Sequence, residues 1–76
     1  MSPDAPLTTA RAALEVDPLN ELAHRRLMIA YARTGRTSYA LRQYLECRRA
    51  LVVDAGVEPS AETSRLQARI LAGETV

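Results

Sequence analysis

Four breaks partition this chain and fix most of what it can fold into. Asp17-Pro18 ends the first segment, and Gly35, Gly56 and Gly73 end the next three. Proline disfavours a helical conformation at the residue before it. A lone glycine just past an apolar run supplies the left-handed backbone that stops a helix. Each break is followed by a residue suited to start a helix again: Asn20, then Thr37 or Ser38, then Ser60. Their side-chain oxygens accept from the unpaired N–H groups of a first turn. Asp4 can serve in the same way at the beginning, with Pro6 tolerated in the opening turn. The punctuation predicts helices over about 5–16, 21–34, 38–54 and 61–72.

The apolar residues between the breaks keep helical spacing. Leu7, Ala10, Ala13 and Leu14 share one face of the first helix. The second carries a stripe of Ala23, Leu27, Ala30 and Tyr31, and another of Leu22 and Ile29, with Met28 between them. A helix apolar on so much of its circumference has neighbours on more than one side. On the third, Ala40, Tyr44, Cys47 and Leu51 face one way, and Leu41, Leu45 and Val52 an adjoining way. Arg42, Glu46 and Arg49 form its polar remainder, with Glu46 placed to pair with either arginine. The fourth has one narrow stripe, Leu66, Ile70 and Leu71, as suits a terminal helix, and Glu74-Thr75-Val76 is expected to fray. No strand pattern competes. The fold class is all-α, and the short links imply antiparallel neighbours.

A length of 76 residues allows one domain, and 47% hydrophobic residues argue against disorder. Three tyrosines are the only aromatics, so the core comes from Leu, Val, Ile and Ala. Ten arginines oppose nine acids for a net charge of +1, too even a balance for a dedicated nucleic-acid module. Cys47 and His24 are each the sole residue of their type, which leaves no internal disulfide and no cysteine-based zinc site. The glycines are isolated helix stops rather than a phosphate loop, and no nucleophile stands near a base motif. No catalytic residue, metal ligand or cofactor is therefore expected. Met-Ser-Pro-Asp lacks the features of a signal peptide, and no apolar run reaches membrane-spanning length, so a cytoplasmic protein is expected.

Two patterns go further. His24, Leu27, Met28, Tyr31, Ala40 and Tyr44 sit where the tetratricopeptide pattern W-x2-L-G-x2-Y, then A-x3-F, places its signature residues. Leu27, Tyr31, Ala40 and Tyr44 match in kind, whereas His24 replaces the large aromatic and Met28 the small residue of the close helix crossing. Asp17-Pro18 occupies the end of a preceding half-repeat. The matching proline after the third helix is replaced by Val52, so that helix runs on by about a turn. The second pattern is the sequence of Asp17-Pro18, Ala23-His24-Arg25, Ala30-Tyr31, Gly35-Arg36, Ala40-Leu41, Tyr44 and Gly56-Val57-Glu58-Pro59-Ser60 with Glu62-Thr63. Across roughly residues 10–72 the chain resembles the C-terminal half of the bacterial transcriptional activator domain, the tetratricopeptide-like module of SARP-type regulators. That resemblance implies an antiparallel stack of about four helices and a role in transcription regulation. Members of that family carry a winged helix ahead of the module, for which this chain has no room. The expectation is a fragment of a larger regulator or a small stand-alone descendant.

The function expected is a non-catalytic protein–protein interaction module of a bacterial transcription regulator. The alternative is a stand-alone tetratricopeptide-like adaptor unrelated to transcription, with direct nucleic-acid binding a third reading. Arg42, Arg48 and Arg49 are read first as a solvated helix face, given the interspersed acids. In a helical stack the first helix of each pair lines the concave surface, which makes Leu22, Arg25, Ile29 and Arg33 the candidate partner-binding residues. Two arginines around an apolar middle suit an acidic or C-terminal segment. Equally, that face can pack on the rest of a larger regulator or on a second copy. Leu7, Ala10 and Leu14, lacking a preceding helix, suggest a homodimer seam. No specific DNA binding and no membrane contact are expected.

Overall fold

A computed structural model describes the backbone from residue 5 and the side chains from residue 7, through residue 76. Among the described residues four α-helices follow one another: α1 (Ala5–Val16), α2 (Glu21–Arg33), α3 (Thr37–Ala50) and α4 (Ala61–Leu71). Among the described residues there is no strand. The expected cap Asp4 lies outside the described residues.

The helix ends follow the local chemistry. Asn20 caps α2, its side chain accepting from Ala23 N–H at 3.1 Å. Ser60 caps α4 by accepting from Thr63 N–H at 3.4 Å. At α3 the start is Thr37, but the cap position belongs to Arg36 and no side chain serves it. Gly35 (φ 76°) ends α2 with Arg36 N–H reaching Tyr31 O at 2.8 Å. Gly56 (φ 66°) closes a wider ending: Leu51–Ala55 form a π-helical turn, and Val57 N–H reaches back to Leu51 O at 3.2 Å. This extra turn stands where the repeat pattern would place a proline, and Val52, having an N–H to donate, lets the helix continue.

α2 is the central element. It packs against α1, α3 and α4, whereas α1 meets α2 alone among the helices described. The core joins Leu7 and Ala10 of α1, Ala23, Leu27, Met28 and Tyr31 of α2, Ala40 of α3, and Leu66 and Ile70 of α4. Met28, in place of a small residue, is wholly buried. The α1 stripe offered as a dimer seam is mostly covered within the chain: Leu7 and Ala10 are 5% and 3% exposed.

Three expectations are corrected. Leu71, Leu45 and Val52 are exposed, because the sides of α4, α3 and the π-helical turn that carry them face no further helix among the described residues. Arg42 lies over the Tyr39 ring, 5.3 Å from its centre, rather than beside Glu46. The tail does not fray. Arg69 donates to Thr75 O and Arg33 to Val76 O, each at 2.7 Å, and the Val76 side chain packs against the core. Charge-assisted bonds from two guanidinium groups to main-chain oxygens hold the tail in place.

Leu27→Ala should cost about 2–5 kcal/mol in a denaturant titration, as a large-to-small change at a buried site. Arg49→Ala, on the exposed side of α3, should leave the midpoint in place. Cys47 supplies an independent readout. It is fully buried, and its thiol is pushed up to about 11, first by burial and then by the Glu21 charge, with Arg25 opposing. A thiolate-directed reagent should therefore label the native chain only through unfolding. Its labelling rate should rise in Leu27→Ala and stay unchanged in Arg49→Ala.

Candidate interaction surface

Polar contacts show how the circumference of α2 is divided. Toward α1, Tyr31 OH accepts from Arg11. Toward α3, the buried His24 ring takes a hydrogen bond from Gln43 Nε2 on Nδ1 at 2.8 Å and approaches Pro18 O with Nε2 at 2.9 Å. A carbonyl only accepts, so Nε2 donates to Pro18 O, while Nδ1 faces the Gln43 amide. The position that the repeat pattern gives to a large aromatic is thus filled by a bonded His–Gln pair. Gln43 was not singled out from the sequence, although it lies between Ala40 and Cys47 on the inner side of α3.

Toward α4, the Glu21 carboxylate takes the Ser60 hydroxyl at 2.9 Å, the Thr63 hydroxyl at 2.5 Å and Ser60 N–H at 3.1 Å. Arg25 donates to Thr63 Oγ1 at 2.9 Å and lies 3.8 Å from Glu21 and 3.5 Å from Glu62. Burial pushes the Glu21 carboxyl up. The bonds from Thr63 and Ser60, with Arg25 beside them, outweigh that and hold it below its ordinary value. Gly56 closes the π-helical turn, Glu58 takes Arg48 in two bonds of 3.1 and 2.8 Å, Ser60 caps α4, and Thr63 is buried at the α2–α4 seam.

The remaining side of α2 is open. Leu22 is 48% exposed, Arg33 is exposed and Ile29 is half-buried against the core. Those three of the four candidate residues lie together on this side. The fourth, Arg25, turns into the α4 seam, its side chain only 16% exposed. Arg26 is exposed instead, and at about 100° per residue it falls with Leu22, Ile29 and Arg33 inside a strip about 60° wide. The 4-3-4 spacing of 22, 26, 29 and 33 carried that signal in the sequence. No group of three or more His, Cys, Asp or Glu that could hold a metal occurs among the described residues, and none of their helices is long and apolar enough to cross a membrane.

Glu21 gives a testable pH dependence. Its carboxyl is depressed in the folded chain, so its contribution to stability is fully present above the unfolded value, 4.5, and is lost as pH falls through the folded one. Glu21→Gln should be less stable than the parent at neutral pH. Its thermal midpoint should also fall less steeply between pH 4.5 and more acid solution. Parallel acid profiles for the two chains would count against this role.

The same arrangement can be placed among known proteins. Residues 4–71 match the bacterial transcriptional activator domain. Over 54 residues, 71% of this chain, it is 46% identical to the regulatory protein DnrI of Streptomyces peucetius, covering 20% of that protein. It is 44% identical over the same length to the regulatory protein AfsR of Streptomyces griseus, and 43% to that of Streptomyces coelicolor, covering 6% and 5% of them. The chain thus spans a fifth or less of each of these relatives. No solved structure matches. With a family match over nearly its whole length and the all-helical stack described above, the chain belongs to the bacterial transcriptional activator domain family, the helical module of SARP-type regulators.

Proposed function

We propose that this chain is a non-catalytic protein–protein interaction module of a bacterial transcription regulator. The observation that carries this reading is the division of labour among its polar side chains. His24, Gln43, Glu21, Arg25, Ser60 and Thr63 are spent on joining helices, while Leu22, Arg26, Ile29 and Arg33 form an open strip with no acid in it. An apolar strip edged by arginine suits contact with another polypeptide. The partner on this reading is a second protein or the rest of a larger regulator, in the cytoplasm. Self-association through α1 has less support, since Leu7 and Ala10 are covered by their own chain.

Specific recognition of DNA is assigned to other parts of such a regulator. Three features support this: a net charge of +1, arginines interspersed with acids, and arginines already tied to Glu58, Tyr39, Thr63 and the tail. Retention of duplex DNA by the 76-residue chain should therefore be weak, independent of sequence and abolished by moderate salt. A preference for one duplex, with a salt slope worth several phosphates, would contradict the assignment.

A further inference from the structure

We propose that the open strip on α2 binds an extended acidic peptide segment, and that the chain's own tail occupies one end of it. The inference rests on the interaction-module reading and names the chemistry of the partner. The tail is the observation that carries it. Past Gly73 the main chain turns back toward the C-terminal end of α2, where Ala32 and Arg33 line a shallow recess with residues 73–76. Arg33 Nε donates to Val76 O, and Arg69 donates to Thr75 O while lying 3.8 Å from the Glu74 carboxylate. Val76 places its side chain against the core. The recess therefore holds an extended segment by its main-chain oxygens, with Val76 turned inward and the one acid, Glu74, lying near Arg69 of α4.

The rest of the strip continues this chemistry. Arg26 is exposed and makes no ion pair with the described residues, and the one acid of α2, Glu21, is spent on α4. Arg26 and Arg33 lie seven residues apart, about 10 Å along the helix axis. A strand advancing about 3.3 Å per residue covers that distance in about three residues. A segment whose carbonyl takes the place of Val76 at Arg33 thus reaches Arg26 with an acidic side chain about three residues away. Leu22 and Ile29 meet the apolar residues between. A phosphate backbone fits less well, because this apolar floor offers it nothing and the site already holds polypeptide.

The test uses the whole chain, isotope-labelled at its methyl groups. The probes are an acetylated Glu-Leu-Glu-Glu-Thr-Val hexapeptide, the same peptide with lysine for glutamate, and a short DNA duplex. The acidic peptide should shift the methyls of Leu22 and Ile29 and move the Val76 methyls toward those of a free chain. The lysine peptide should do neither. Arg26→Glu should weaken binding about tenfold or more, while Arg49→Glu should leave it unchanged. Arg33→Ala should free the Val76 methyls before any peptide is added. No shift up to about millimolar peptide, or equal loss in Arg26→Glu and Arg49→Glu, would overturn the proposal. Peptide shifts confined to Leu45 and Val52 would overturn this surface and leave the interaction-module reading standing. Sequence-specific retention of the duplex at Arg26 and Arg33 would overturn both.

Discussion

The structure depends on one carboxylate. Glu21, in the first turn of α2, accepts from Ser60 N–H and from the hydroxyls of Ser60 and Thr63, all at the start of α4. An α-helix presents unpaired N–H groups and a partial positive charge at that end, so a carboxylate placed there is held and in turn holds the helix. α4 needs such a hold. It has 11 residues, below the length at which an isolated helix is stable, and its buried side chains are Thr63, Leu66 and Ile70. Arg25 completes the site by meeting the same threonine and lying near two carboxylates. A half-buried charge left without such partners would weigh against the packing of α4.

That choice of contact decides what α2 presents to the outside. With Arg25 committed to α4, His24 to Gln43 and Pro18, and Tyr31 to Arg11, three sides of the helix are joined to neighbours. The fourth side keeps Leu22, Arg26, Ile29 and Arg33. At its end Arg33 meets the tail. The division between inward and outward arginine explains how a nearly neutral chain can carry a locally basic strip without being a nucleic-acid module. It also gives the Gly56–Thr63 stretch a structural duty, which is to bring the start of α4 to Glu21.

Much of this was legible in the sequence because it is local. Asn20, Ser60, Gly35, Gly56 and Gly73 act on backbone within one turn of themselves, and each does what its chemistry implied. The stripes of Leu7 and Ala10, of Ala23, Leu27 and Tyr31, and of Leu66 and Ile70 follow the helical period and are buried. What escaped depends on contacts between residues far apart in the chain. Nothing near Arg25 and Arg26 says which of two adjacent arginines turns toward a helix 38 residues away. Gln43 is a polar residue at a core register, and only the need of His24 for a donor explains it. The tail looked frayed because Glu-Thr-Val has no helical or capping pattern, and its anchors, Arg33 and Arg69, lie on α2 and α4. Leu45, Val52 and Leu71 kept the helical period without a neighbour to bury them.

The central claim is that Glu21 fixes α4 on α2 through the Ser60–Thr63 turn, and a double-mutant cycle measures it directly. Unfolding free energies of the parent chain, Glu21→Gln, Thr63→Val and the double variant give the coupling between the two side chains. Because the bond joins a charged acceptor to a buried hydroxyl, the coupling should be about 1–3 kcal/mol, with the double variant much less destabilised than the sum of the singles. Additivity within about 0.5 kcal/mol would mean that the two side chains do not act on each other, and that α4 is held by Leu66 and Ile70 alone.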